Sequence, residues 1–475
     1  MTSSASAAST PALAGRRADG PASALVVPAA ATLLALMNYC ALLGTLVDTA
    51  AGLRAGPTAQ IWMMSSISLG LSAVLLTAGG LADDHGRRRV FVGGAVLLTL
   101  ASVACALAPN AAVFVAGRIA QGAASAALIA GGLGIVGHAF SGAARARATG
   151  VWGAMLGLGI ALGPVTAAAL TGVTWRLWYW TCAAAAILLA VAAARSLPES
   201  RADRPRGLDL PGVVTMSGGV TALLTAVTVG RTGWTRPAVP VLLVAAAILL
   251  GAFAAVESRR RHPMLDPALL RRRLFLVSTG AALVTGLAVI GVMSYLGTLL
   301  DLAYGFTPLT AALLLTVWSV PSFASALQAR RLTARVAPRP LLAAGLLLSA
   351  VGEAAMLGLT PGGNWWRLVP GLVVAGVGSG LANAVLARLA VESVPADRAA
   401  MGSGANNTAR YVGASLGVAM VVAIATGGDD RSPASLTHGA NIALVVSAVL
   451  AAAGAVLVVA VRDRQPRDAA TPAVR

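Results

Sequence analysis

Fourteen long apolar stretches run through the 475 residues, and nearly every arginine lies in alternate gaps between them. A helix needs about 20 apolar residues to cross a hydrocarbon core of roughly 30 Å. The stretches cover approximately 24–50, 61–82, 90–108, 112–138, 148–171, 177–194, 211–230 and 237–256. They continue over 275–300, 308–328, 340–360, 368–387, 402–426 and 440–461. Water-soluble chains do not carry this pattern, so the expected fold is an all-α integral membrane protein with fourteen spans.

The charges orient it. The chain has no lysine, and all 35 basic residues are arginine. With the N-terminus in the cytoplasm, 27 arginines fall in inner segments and 6 in outer ones, while Arg118 and Arg410 lie inside spans. That asymmetry follows the positive-inside rule and requires an even number of spans with both termini cytoplasmic. The net charge of +18 then reads as topology plus attraction to an anionic inner leaflet. A nucleic-acid partner is not expected, because no loop is long enough to form a folded basic domain. Cys40, Cys105 and Cys182 each fall within an apolar span, so no structural disulfide is expected. Arginine-only basic usage with abundant alanine and glycine points to a GC-rich bacterial genome and hence to a multi-pass protein of a bacterial plasma membrane.

The loops divide the spans into six, two and six. The expected organisation is a disordered cytoplasmic tail over 1–23, a six-helix bundle over 24–197 and a linker with two extra spans over 198–273. A second six-helix bundle over 274–461 and a cytoplasmic tail over 462–475 follow. The first apolar run is too long for a cleavable signal, and thirteen more follow it. A faint internal repeat relates Leu81–Arg89, after the second span, to Leu332–Pro340, after the second span of the last block. Transporters are commonly built from repeated halves whose interface holds a midplane substrate site.

Three segments carry a family resemblance. Gly79-Gly80-Leu81-Ala82-Asp83-Asp84-His85-Gly86-Arg87-Arg88-Arg89 resembles the signature loop between the second and third helices of the major facilitator superfamily. Gly117-Arg118-Ile119-Ala120-Gln121-Gly122 resembles its second motif, and Gly157-Leu158-Gly159-Ile160-Ala161-Leu162-Gly163-Pro164 resembles the motif of its antiporters. With Trp175–Trp178, Asp209–Gly212, His262–Leu265 and the span count, the chain is similar to the fourteen-helix drug:proton antiporter branch over residues 24–461. The resemblance implies two six-helix bundles plus two linking helices. It also implies a non-enzymatic, monomeric transporter that exchanges a small organic compound for protons. No cofactor is expected beyond the proton gradient, and the partners are the substrate, protons and membrane lipids.

The candidate site residues follow from these segments and from polar groups inside spans. Gly79, Asp83, Gly86, Arg87 and Arg88 form a candidate conformational latch, with Asp83 placed to accept hydrogen bonds from a facing helix N-terminus. Asp84 departs from the family pattern, which has arginine there. The resemblance implies a hinge at Gly159, Gly163 and Pro164 and ties Arg118 to proton coupling. An arginine cannot release its proton, so Arg118 acts on a neighbouring acid or on substrate. Proton coupling needs a titratable acid, and burial favours the neutral form of a carboxyl group. Glu353, well inside span eleven, and Asp48, near the outer end of span one, are the candidates. Leu43 stands before Gly44-Thr45, where efflux relatives carry an aspartate. Asn38, Tyr39, Gln121, Asn383, Asn406, Asn407 and Arg410 are substrate-binding candidates, a basic and amide-rich set that suits a neutral or anionic compound. The four histidines are far apart and show no metal-ligand spacing, and no phosphate-cradling loop occurs. The expected function is proton-coupled efflux of a drug, antibiotic or secondary metabolite by alternating access. The alternatives are a proton-coupled or facilitative nutrient importer and a non-transporting membrane scaffold.

Overall fold

The computed structural model describes residues 22–203, 207, 209–260, 263–333, 335–425 and 432–461. The tails at 1–21 and 462–475, together with Arg204, Arg206, Arg261, His262 and Arg431, lie outside the described residues.

The described chain is all helical. α1 (Ser23–Cys40) and α2 (Leu42–Gly52) share the first apolar stretch and are interrupted at Ala41. Then come α3 (Pro57–His85), α4 (Arg87–Ala106), α5 (Ala111–Ala139), α6 (Gly142–Thr171) and α7 (Trp175–Ser196). The linking pair is α8 (Leu210–Gly230) and α9 (Ala238–Arg259). α10 (Arg273–Val284) and α11 (Gly291–Tyr304) are joined by a π-helical segment, Thr285–Ile290. α12 (Pro308–Thr333), α13 (Pro338–Ala355), α14 (Leu368–Glu392), α15 (Ala399–Ala425) and α16 (Pro433–Ala460) complete the chain. Prolines in the first turn open α3, α8, α13 and α16, where a missing N–H costs nothing. Gly86, at φ 114°, makes the single-residue corner between α3 and α4, a conformation that side chains rarely adopt.

Among the described residues, thirteen helical segments are long and apolar enough to cross a membrane. α13 is not among them: it has 18 residues, carries Arg339 and Glu353, and ends at Ala355 rather than near 360. It nevertheless runs beside α14 and α16 within the bundle. The sequence reading also treated the first and ninth stretches as single helices, whereas both are irregular at mid-depth.

The packing repeats. In the first half α5 packs on α3 and α4, α4 on α7, and α1 on α6. In the second half α14 packs on α12 and α13, α13 on α16, and the α10–π–α11 segment on α15. Each contact of one half thus has its counterpart eight spans later. The halves meet reciprocally, α15 against α3 and α5, and α6 against α12 and α14. Lipid tails offer no hydrophobic drive between helices, so close backbone approach at small residues carries the packing. A β-carbon at Gly134 would lie 2.5 Å from that of Ala400 across the seam, and one at Gly404 would lie 2.5 Å from the Leu75 carbonyl oxygen. α8 packs on α3 and α15, bridging one side of that seam, and α9 lies outside it against α8.

Candidate functional site

A cavity of about 230 Å³ opens between the halves. Its walls come from α1, α2, α3 and α6 on one side and the α10–α11 segment, α12, α14 and α15 on the other. Leu36, Leu156, Asn383 and Arg410 line it at mid-depth, Trp318 lines a wall, and Asp48 and Asp301 stand at the outer ends of α2 and α11. Both aspartates are exposed. On the cytoplasmic side α3, α5 and α15 are in close contact, so the cavity faces outward.

Arg410 is 3% exposed and makes no hydrogen bond or ion pair among the described residues. Its neighbour Tyr411 stacks at a tilt on Tyr39, with ring centroids 5.6 Å apart, and both rings line the cavity. The Tyr39 hydroxyl lies 3.0 Å from the Ser68 hydroxyl. Asn383 presents a side-chain oxygen with no partner among the described residues.

Arg118 is fully buried behind the cavity wall. Its guanidinium donates to the Asn38 carbonyl oxygen at 2.9 Å, the Asn38 side-chain oxygen at 3.2 Å, Gln121 Oε1 at 3.1 Å and the Tyr39 carbonyl oxygen at 3.5 Å. Gln121 in turn donates to the Ser102 hydroxyl at 2.9 Å. The carbonyls of Asn38 and Tyr39 belong to the last turn of α1, where carbonyl groups lack intrahelical partners. A cation at a helix C-terminus is favourable for the same reason. Arg118 therefore holds the interruption at Ala41, and no carboxylate forms an ion pair with it among the described residues.

Sequence reasoning grouped the polar residues of α15, and the structure separates them. Asn406 donates to the Ser278 carbonyl oxygen at 3.0 Å and hydroxyl at 2.9 Å on α10. Asn407 donates to the Ser403 carbonyl oxygen at 3.0 Å within its own helix. Neither lines the cavity. Glu353 is fully buried on α13, away from the cavity lining, and both carboxyl oxygens lack partners among the described residues. Asn38 and Gln121 serve Arg118 from behind the wall, leaving Tyr39, Asn383 and Arg410 to meet in the cavity. Tyr411, Trp318 and Asp301 were not singled out as site residues. Tyr411 had a signal, an aromatic directly beside an intramembrane arginine.

The α3–α4 corner closes the cytoplasmic side. Asp83 is fully buried, and its carboxylate accepts from Arg87 at 2.7 Å and from the Ala400 and Met401 amides at 3.2 and 2.8 Å. Those amides are the first turn of α15, so a carboxylate of one half caps a helix of the other. Arg87 donates to the Asp397 carbonyl oxygen at 2.7 Å and to the Ser200 hydroxyl at 3.4 Å. Asp84 pairs with Arg398, just before α15. The aspartate in the usual arginine position thus meets an arginine supplied by the opposite half. The Arg88 amide donates to Glu199 at 3.1 Å, and its guanidinium donates to the Leu197 carbonyl oxygen at 3.3 Å.

The glycines of α6 face two ways. A β-carbon at Gly159 would lie 2.6 Å from that of Leu36, and one at Gly163 would lie 2.9 Å from the Met37 α-carbon, both on α1. Pro164 lines the cavity. Gly153 and Gly157 instead face Ala384 on α14 and Ser322 on α12 across the seam, each at 3.1 Å.

Among known proteins, the family model described as Major Facilitator Superfamily matches residues 29–418 and again residues 278–475. The chain is 33% identical over 409 residues to the probable actinorhodin transporter of Streptomyces coelicolor, covering 83% of this chain and 70% of that one. It is 33% identical over 417 residues to the puromycin resistance protein pur8 of Streptomyces alboniger, covering 85% and 81%. The solved structure of the proton:xylose symporter XylE superposes with a TM-score of 0.67 at 13% identity, over 91% of this chain and 94% of that one. Motifs, repeated packing and profile agree: this multi-pass membrane protein belongs to the major facilitator superfamily.

Proposed function

We propose that the protein exports a small organic compound across the plasma membrane in exchange for protons, with α13 as the fourteenth span. The observation that carries this reading is the cavity between the halves, open outward above a cytoplasmic seam held by Asp83 and Arg87. The names of the actinorhodin transporter and the puromycin resistance protein support an antibiotic-type cargo, and resistance to a compound fits its removal from the cell. In the proposed cycle the halves rock about the seam, exposing the cavity alternately to each side. Glu353 is the proposed proton carrier. An isolated carboxylate inside the membrane is expensive and marks a functional position by default. Neither of its carboxyl oxygens has a partner among the described residues, which leaves them free to take up and release a proton.

The test is reconstitution in liposomes holding a pH-sensitive dye. Addition of compound under an imposed pH gradient is expected to produce proton flux opposite to compound movement. Glu353→Gln is expected to abolish gradient-driven exchange while preserving compound binding. Undiminished exchange in that variant would transfer the role to Asp48, and compound movement indifferent to the gradient would remove antiport.

A further inference from the structure

From the cavity floor we infer that the transported compound is an aromatic anion whose acidic group docks on Arg410. This rests on the export reading above for its direction and deepens it by naming the substrate class. Buried charges are ordinarily paired, because an unpaired one forfeits its hydration. Arg410 is 97% buried by its 3% exposure, lines the cavity, and has no counter-ion or acceptor among the described residues. The guanidinium is the group best matched to a planar oxyanion, which it binds through two parallel hydrogen bonds. Its immediate surroundings are aromatic, since Tyr39 of α1 and Tyr411 of α15 form a tilted pair between the two halves and Trp318 of α12 lines the cavity from the half that carries Arg410. Asn383 also lines the cavity and adds a polar side chain to this wall.

The acids of the cavity are placed to discourage the opposite assignment. Asp48 lies nine residues along the first span from Tyr39, or about 13 Å at the helical rise, and it stands exposed at the mouth with Asp301. A cation lodged at the floor would sit against Arg410, a repulsion that selects against it.

The test uses the full chain in lipid nanodiscs with no gradient and three matched probes: 2-naphthoate, 2-naphthamide and 2-naphthylmethylammonium. Binding is read by tryptophan fluorescence. Naphthoate is expected to bind about tenfold or more tighter than the amide, as a charge-assisted bidentate contact requires, and the ammonium compound weakest. Arg410→Gln should erase the preference, and Arg410→Lys should keep part of it. The wild-type ranking alone decides the matter if a variant fails to fold. Equal affinities, a preference for the ammonium probe, no naphthoate binding at millimolar concentration, or a preference surviving in Arg410→Gln would each overturn the inference. Because binding is read without a gradient, naphthoate selectivity with no proton flux sustains this inference and removes antiport. Proton-coupled export confined to cationic compounds does the reverse.

Discussion

Arg118 and Arg410 are both arginines inside spans, and their surroundings give them different work. Arg118 satisfies two backbone carbonyls, the Asn38 amide oxygen and Gln121, whereas Arg410 satisfies nothing among the described residues. Removing Arg118 strands those acceptors away from water, at about 1–3 kcal/mol for each. Arg118→Ala is therefore expected to lower the melting temperature of the detergent-purified protein and abolish transport. Arg118→Lys should recover only part of the stability, since an ammonium cannot reach the same acceptors in one plane. A variant that melts like the parent yet loses proton coupling would show that Arg118 acts on a proton site instead. Sequence alone marked both arginines as functional because hydrocarbon makes any charge conspicuous. It could not tell them apart, because the acceptors that occupy Arg118 and not Arg410 lie mostly on another helix: Asn38 is 80 residues away from Arg118.

At the scale of elements, α6 is a double-sided contact, and its glycines divide accordingly. Gly159 and Gly163 let α1 approach within one half, and Gly153 and Gly157 let α14 and α12 approach from the other. Overpacking a tight contact costs about 1–3 kcal/mol, and the consequence depends on which contact is strained. Gly163→Val strains a contact present in every state, so the melting temperature should fall. Gly153→Val strains a seam that the proposed rocking opens, so transport rates should change while the melting temperature moves less. Equal effects of the two on melting and transport would contradict this division. The succession of long apolar helices was readable in the sequence because hydropathy is a local property. The interruption at Ala41 and the π-helical Thr285–Ile290 segment were not. No proline occupies Ala41 or 285–290, and the carbonyls freed at the first break are met by a guanidinium from α5. The site was legible in part for the same reason: Tyr39, Asn383 and Arg410 were named, but their meeting depends on the crossing of three helices.

For the whole molecule, the duplicated packing makes outward and inward states two arrangements of the same halves, and the latch biases the choice between them. Asp83 caps α15 only while the cytoplasmic seam is closed, so its contribution falls on the outward-facing state alone. A lost helix cap is worth about 1 kcal/mol or somewhat more, and 1.4 kcal/mol corresponds to roughly a tenfold change in an equilibrium. Asp83→Ala is thus expected to raise the inward-to-outward ratio about tenfold. Ala405, buried on α15 near Leu76 of α3, reports the seam directly. With Cys40, Cys105 and Cys182 replaced by serine, Ala405→Cys should react with a membrane-impermeant maleimide from the cytoplasmic side at a rate set by the open fraction. Asp83→Ala should accelerate that reaction by about the same tenfold factor. Exchanging the charges of Asp84 and Arg398 in one chain should leave it nearly unchanged, because the pair across the seam is retained. An Asp83→Ala rate equal to the parent's would mean that the glycine-lined seam, rather than the capped helix, holds the cytoplasmic side shut.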